Sequence, residues 1–194
     1  FDNVKVRRAV AHAIDRENVV KVSQGLAIPA WSMIPPGFPG ATDDQKIKAI
    51  QKYDKKLALE QLKGTPFEGG KNWPKITLTL LDDALGSKPL AEAVQAVLLE
   101  HLNMKTELEV LEPRVFRERL WKNELQFVWI RWFMDYPDPH NEYFDTFYGK
   151  KTTGRRQAWV NDAFDKELEA GRDTRDPKKR LEHYKKAEEI MQTD

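Results

Sequence analysis

The chain has 194 residues, of which 40% are hydrophobic and 32% are charged, a composition typical of a folded protein with a core of its own. Its 32 Lys and Arg residues nearly balance 31 Asp and Glu residues, and a net charge of +1 gives no electrostatic reason to bind nucleic acid or an anionic membrane. The absence of cysteine excludes disulfides, thiol nucleophiles and cysteine-ligated metal sites.

The beginning of the chain is predicted to form short helices separated by an irregular segment. Asp2 or Asn3 is a suitable N-cap for a helix with apolar residues on one face, and Asp15 is a suitable cap for a second helix. Residues 27–42 are rich in proline and glycine, which predicts a rigid surface loop. Asp54 can cap a further helix.

The middle of the chain alternates between strand and helix patterns. Strands are predicted at residues 75–82, 105–111 and 125–133, the last of them almost continuously apolar, as a strand buried on both faces would be. Helices are predicted at residues 87–103 and 113–123. This order predicts parallel crossover connections and an α/β fold with a βαβαβ core.

The two ends of the chain are predicted to be helical. Residues 161–194 carry helical patterns, and Asp176 followed by Pro177 is typical of a helix N-terminus. The chain opens on Phe1 rather than methionine and stops at Asp194 within a helical pattern. We therefore expect a piece of a longer protein.

The segment WIRWFMDYPDPHNEYF, residues 129–144, contains the candidate binding residues. Ligands of open α/β sheets gather at the carboxyl ends of the strands, and Trp132 and Asp135 lie where the third predicted strand ends. An aspartate there can pair with an ammonium group through charge-assisted hydrogen bonds. A tryptophan can cover an apolar side chain or face a cation.

The same segment also fits an ordinary turn. Asp138 before Pro139 is typical of a turn in which the aspartate side chain bonds its own backbone. Trp129 and Phe133 are predicted to lie in the core. The pattern alone leaves Asp135 open between a binding site and a capping or turn role.

Catalytic and metal sites have little support in the sequence. A hydrolase built on Asp135 and Asp138 would need two carboxyl groups about 5–9.5 Å apart across one cleft. The four histidines are scattered, and neither a phosphate-binding glycine loop nor a nucleophile elbow is visible. The sequence predicts no catalytic residue, no metal and no cofactor.

Several blocks of sequence together carry a resemblance to a known family. They are VRRAVAHAIDRE within residues 1–20, the proline-rich residues 28–40, YDKKLALEQLKG at 53–64, WFMDYPDPHN at 132–141, and the closing helices at 161–194. In this order they resemble the second large lobe of the family 5 peptide-binding solute-binding proteins of ABC importers. The resemblance implies a periplasmic-binding-protein type II-like lobe with a central mixed sheet.

The resemblance also implies an organisation and a function. Residues 1–194 would be one lobe of a two-lobed protein whose first lobe is absent from this sequence. The parent would be periplasmic, or extracellular and membrane-anchored, and would capture peptides for the membrane permease of an ABC importer. It would be a binding protein and not an enzyme. The alternatives are a non-peptide solute, such as an oligosaccharide or a metal chelate, and a carboxylate-based hydrolase.

Roles can be carried over to individual residues. The family's acidic residue that pairs with a peptide α-ammonium corresponds to Asp135, and the tryptophan of a side-chain pocket corresponds to Trp132. Some members hold a peptide carboxylate with an arginine six residues before the acid, a position occupied here by Trp129, and Arg131 alternates to the other strand face from Trp132. How a ligand carboxylate is held therefore stays open. The ligand-binding residues predicted from the sequence are Asp135, Trp132, Tyr136, Arg131, Trp31 and Asn161.

Overall fold

A computed structural model describes residues 1–42, 45–81, 87–151 and 156–194. The chain forms two compact units, which we name the sheet unit and the helical unit. The sheet unit contains Phe1–Pro29 and Gln51–Arg131, and the helical unit contains Ala30–Ile50 and Trp132–Asp194. Across the described ranges, no helix has both the length and the apolarity needed to cross a membrane.

The described elements follow the chain in an α/β order. The helices are α1 Val4–Ala13, α2 Arg16–Val19, α3 Gln45–Ile50, α4 Lys55–Gln61, α5 Ser87–Leu102, α6 Pro113–Trp121, α7 Asp145–Phe147, α8 Asp162–Asp173 and α9 Pro177–Thr193. The strands are β1 Ile76–Leu81, β2 Thr106–Leu111 and β3 Phe127–Trp129. The 3₁₀ turns are Val20–Ser23 and Glu68–Gly70, and a π-helical turn spans His140–Phe144.

Side-chain caps set the starts of the helices, as the sequence predicts. The carboxamide of Asn3 accepts a hydrogen bond from the Lys5 N–H at 2.9 Å at the start of α1. Asp15, Asp54 and Asp176 accept backbone N–H groups in the same way at α2, α4 and α9. Each cap satisfies donors that would otherwise have no partner inside the helix.

The sheet has three parallel strands in the order β2-β1-β3. Leu78 of the central strand pairs with Leu108 on one side and with Phe127 on the other, and its side chain is buried. The connections through α5 and α6 are long enough to bring each strand back in the same direction. The α/β class and the βαβαβ core are confirmed, while the described strand pairs are all parallel and not the mixture that we expected.

The third strand is much shorter than residues 125–133. Its pairing with β1 stops at Trp129, which packs against the core as predicted. Ile130 is 45% exposed and Phe133 is 69% exposed, so the prediction that Phe133 lies in the core is wrong. Pairing with β1 defines β3, and β1 itself ends at Leu81. Asp82, the last residue of the first predicted strand, lies outside the described residues.

The helical unit has an aromatic core of its own. Tyr143 lies at its centre, with ring centroids 6.5 Å from Phe164 of α8 and 6.4 Å from Tyr184 of α9. Ile34, from the proline-rich segment, is buried in the same core. The core therefore fixes the π-helical turn against α8 and α9.

Candidate functional site

The candidate site lies in the helical unit, where residues 132–138 lead into the π-helical turn His140–Phe144. Trp132 is 39% exposed, Tyr136 is 44% exposed, and Asp135 is exposed as well. By contrast, the side chains of the turn from Asn141 onward are buried. π-Helical turns are rare and occur often at functional sites. The segment thus exposes two aromatic rings and a carboxylate, and the turn that follows them is buried.

Asp135 is held by Asn141, six residues later. The backbone N–H of Asp135 donates to Asn141 Oδ1 at 2.9 Å, and Asn141 Nδ2 donates to Asp135 Oδ2 at 3.3 Å. The Asn141 side chain is only 2% exposed. A buried amide therefore contacts both the backbone and the side chain of an exposed aspartate.

A second carboxylate, Asp145, shares the same amide. Asn141 Nδ2 donates to Asp145 Oδ2 at 3.3 Å, and the Tyr136 hydroxyl donates to the same oxygen at 3.1 Å. Lys151 Nζ donates to Asp145 Oδ1 at 2.9 Å. Burial acts to raise the pKa of Asp145, but the hydrogen bonds from Lys151, Tyr136 and Asn141 outweigh it and the pKa is lowered. Asp145 is therefore an ionised partner of Asn141, and Lys151 neutralises its charge.

The hydroxyl of Tyr136 belongs to this network. Its burial and its hydrogen bond to Asp145 raise the pKa of Tyr136. The hydroxyl therefore stays protonated at neutral pH and acts as a donor. Its ring remains partly exposed beside Asp135 in the chain, as the prediction of a ligand contact requires.

The carboxylate of Asp138 is bonded by other groups of the protein. Arg180 of α9 forms a two-pronged ion pair with it, Nη1 to Oδ2 at 2.9 Å and Nη2 to Oδ1 at 2.6 Å. The predicted turn is confirmed, because Asp138 Oδ1 accepts the His140 N–H at 2.8 Å. Burial acts to raise the pKa of Asp138, yet the hydrogen bonds from Arg180 and His140 lower it overall. Both oxygens of Asp138 are therefore engaged within the protein.

His140, Glu142 and Tyr143 are the titratable groups of the π-helical turn. His140 Nδ1 is hydrogen-bonded to the Tyr184 hydroxyl at 3.0 Å, and burial lowers the pKa of His140. Burial also raises the pKa of Glu142, from 4.5 to about 7. Within the described ranges, no group of three or more His, Asp or Glu side chains is placed to hold a metal ion.

The tryptophans predicted to contact ligand each lie near a cation. The guanidinium carbon of Arg156 lies 5.6 Å from the ring centre of Trp132. Lys48 Nζ lies 5.4 Å from the ring centre of Trp31, whose backbone carbonyl accepts a hydrogen bond from Gln192 at 2.6 Å. Both distances are within the range of cation–π attraction.

Asn161 and Arg131 are the remaining two residues that the sequence predicts to contact a ligand. Asn161 caps α8: its Oδ1 accepts the N–H groups of Ala163 and Phe164, and its Nδ2 donates to Asp194. Both polar atoms of this side chain are engaged within the protein. Arg131 is the last residue of the sheet unit. Ligand contacts by either residue stay predictions.

The sequence interpretation missed the partners of Asp135 and Asp138. Asn141 and Asp145 lie six and ten residues beyond Asp135 in the chain, and Arg180, the partner of Asp138, lies forty-five residues beyond Asp135. An asparagine after a proline-containing turn is a local signal, since its side chain can bond nearby backbone. The contact with Arg180 depends on the packing of α9, and no local signal indicates it.

A comparison with protein families matches most of the chain. The model of the bacterial extracellular solute-binding proteins, family 5, matches residues 1–155. The oligopeptide-binding protein OppA of Bacillus subtilis is 33% identical over 98% of this chain. The dipeptide-binding protein DppE of the same organism is 32% identical over 98% of it. The chain spans only 35% and 36% of the lengths of these two relatives.

Solved structures match the fold over nearly the whole chain. An oligopeptide-binding protein from Borrelia burgdorferi superimposes with a TM-score of 0.85 at 25% identity, over 98% of this chain and 37% of that one. DppA from Helicobacter pylori, in complex with the peptide STSA, gives 0.84 at 26% identity, over 99% and 37%. The family is one of solute-binding proteins and not of hydrolases, which removes the hydrolase alternative. The chain belongs to the bacterial extracellular solute-binding proteins of family 5.

Proposed function

We propose that this chain is a ligand-binding lobe that captures peptides for an ABC importer, with Asp135 accepting hydrogen bonds from the ligand α-ammonium. The observation that carries the proposal is an exposed carboxylate fixed by a buried amide, with the exposed aromatic residues Trp132 and Tyr136 on either side of it in the chain. Relatives bear the names of oligopeptide- and dipeptide-binding proteins, and a related structure from Pseudoalteromonas contains the dipeptide Met-Leu.

The chemistry of the site suits a free amino terminus. A carboxylate that meets an ammonium forms short, charge-assisted hydrogen bonds, which are about twice as strong as neutral ones. Trp132 and Tyr136 offer flat apolar surfaces to a neighbouring ligand side chain, and such surfaces accept many side-chain shapes. The site would therefore recognise the amino terminus of a peptide and accept different side chains in the residues that follow.

The full protein would supply what this chain lacks. We infer a second lobe, since the chain spans about a third of its relatives, and a hinge closure of the two lobes around the ligand. A membrane permease would receive the peptide. The protein would work outside the cytoplasm, free in the periplasm or anchored at the membrane surface.

The test is calorimetry on the full-length protein with Ser-Thr-Ser-Ala and Met-Leu, each with a free and an N-acetylated amino terminus. N-acetylation removes the ammonium charge, and Asp135→Asn removes its partner. A lost charge-assisted contact is expected to weaken binding by about 10- to 150-fold. The acetylated peptide should bind Asp135→Asn and the wild type about equally.

Asp162→Asn is the matched control, because Asp162 is an exposed acid on α8 of the same unit. It should leave both affinities unchanged. Equal binding of free and acetylated peptides to the wild type, or binding of neither, would contradict the proposal. Binding of an oligosaccharide or a metal chelate in place of peptides would support the non-peptide alternative.

A further inference from the structure

Two aspartates of the candidate site differ in the charge of their partners. Asp138 is neutralised by the guanidinium of Arg180 in a two-pronged pair. Within the described residues, no lysine, arginine or histidine forms an ion pair with Asp135, whose side-chain partner is the neutral amide of Asn141. Asp135 is therefore fixed in place while its negative charge stays available.

The amide of Asn141 is well suited to this task. An asparagine side chain has one acceptor oxygen and one NH₂ group with two donors. Here the oxygen accepts the backbone N–H of Asp135, and the NH₂ group lies 3.3 Å from a carboxylate oxygen of Asp135 and 3.3 Å from one of Asp145. One buried side chain thus closes the loop from residue 135 to residue 141 and fixes the orientation of the carboxylate.

We propose that Asn141 is a positioning residue that holds the Asp135 carboxylate ready for the ligand ammonium. The inference rests on the proposed function of Asp135 and adds a second residue to that site. A free aspartate at the surface samples several rotamers, and ordering it on binding costs affinity. A neutral amide removes this cost without competing for the charge, whereas a lysine or arginine would compete with the ligand.

Asp145 is the second carboxylate that contacts Asn141. Its charge is met by Lys151 at 2.9 Å and by the Tyr136 hydroxyl at 3.1 Å. Asn141 is therefore anchored against an acid that already has its own cation. The NH₂ group of Asn141 therefore contacts two carboxylates. Asp145 is paired with Lys151, whereas Asp135 is held by the neutral amide alone among the described residues.

A double-mutant cycle on the full-length protein tests the inference. The variants are Asn141→Ala, Asp135→Asn and the double variant, and the probes are free and N-acetylated Ser-Thr-Ser-Ala. Asn141→Ala is expected to weaken binding of the free peptide by about 5- to 20-fold and to leave the acetylated peptide within about 2-fold. In the Asp135→Asn background, Asn141→Ala should change neither affinity by more than about 2-fold.

A purely structural role gives a different pattern. Asn141→Ala would then weaken both peptides equally, or would act equally with and without Asp135, and either result overturns the inference. Thr146→Val, which alters a buried polar residue of α7, is the control and should leave the ratio of the two affinities unchanged. Asn141→Ser is a second variant, too short to reach both carboxylates.

Folding and the proposed function are separated by further readouts. Thermal unfolding shows whether each variant is folded at the temperature of the titration. Failure of both Asn141 variants to fold would assign this residue to stability and overturn the inference. A wild type that does not distinguish free from acetylated peptide contradicts the role of Asp135 itself. A wild type that distinguishes them without coupling to Asn141 contradicts only the positioning role.

Discussion

Four carboxylates within eleven residues have four different environments. Asp135 is exposed and held by an amide, and Asp138 is paired with an arginine. Asp145 is paired with a lysine, and Glu142 is 4% exposed in the π-helical turn. Hydrogen bonds from cationic partners lower the pKa values of Asp138 and Asp145, whereas burial raises the pKa of Glu142, so neighbouring acids in one loop serve different purposes.

Glu142 should make the stability of the protein depend on pH. Burial raises the pKa of Glu142 from 4.5 to about 7. Below pH 4.5 the residue is protonated in both the folded and the unfolded chain. Between pH 4.5 and 7 the unfolded chain loses this proton first, so the free energy of unfolding falls by up to about 3 kcal/mol and is constant above pH 7.

Glu142→Gln removes the ionisable group and should flatten this fall. Urea unfolding at several pH values from 4 to 8 measures it, and at pH 8 the variant should be more stable than the wild type by about 1–3 kcal/mol. Glu182→Gln, an exposed glutamate on α9, is the matched control and should retain the fall. Parallel pH curves for Glu142→Gln and the wild type would show that Glu142 does not titrate in this range.

At the scale of elements, the proline-rich segment approaches the candidate site closely where Gly40 meets Pro139. A Cβ atom at Gly40 would lie 2.5 Å from Cγ of Pro139, and the backbone φ of Gly40 is +86°. Pro139 directly precedes the π-helical turn. The absence of a side chain at Gly40 therefore lets this segment approach the loop that carries Asp135.

Gly40→Ala should destabilise the protein more than Gly37→Ala. Gly37 has a φ of +89°, and a Cβ there would meet no described heavy atom within 4 Å. Both variants incur the strain of a positive φ, about 1–2 kcal/mol, while Gly40→Ala adds the clash with Pro139, about 1–3 kcal/mol. Chemical denaturation of both variants measures the difference, and equal losses would mean that the loop yields without cost.

The elements that the sequence predicts correctly depend on local chemistry. Asn3, Asp15 and Asp54 cap helices because a short polar side chain reaches its own following N–H groups. The end of β3 was not predictable in this way. An apolar run cannot show where the pairing with β1 stops, and the apolar residues Ile130 and Phe133 lie exposed beyond it.

In the candidate site, too, some features follow from the local sequence and others from tertiary packing. Trp132 and Asp135 lie where the third predicted strand ends, and the structure leaves both exposed. The support from Asn141 and the pairing of Asp138 with Arg180 arise from the packing of the turn and α9. Asn161 is predicted to contact a ligand, but its oxygen caps α8 and its NH₂ group donates to Asp194.

For the whole molecule, the order of the sequence blocks carried more information than any single motif. The family match covers residues 1–155, and the fold match extends over 98% of the chain. Composition alone predicted neither, because a net charge of +1 and 40% hydrophobic residues are common to many proteins. Because one fold can host many functions, the ligand of this protein has to be argued from the candidate site.

The isolated chain of 194 residues should bind peptide far more weakly than the full-length protein. Small-ligand sites bury about 70–90% of the ligand surface, and under our proposal this chain provides only one wall of the cleft. We expect an affinity for Ser-Thr-Ser-Ala at least about 100-fold below that of the full-length protein, since roughly half of the contacts are missing. Calorimetry on both proteins measures the ratio, and circular dichroism verifies that the isolated chain is folded. Comparable affinities would place the whole binding determinant in this chain, with Asp135 and its neighbours sufficient to hold a peptide.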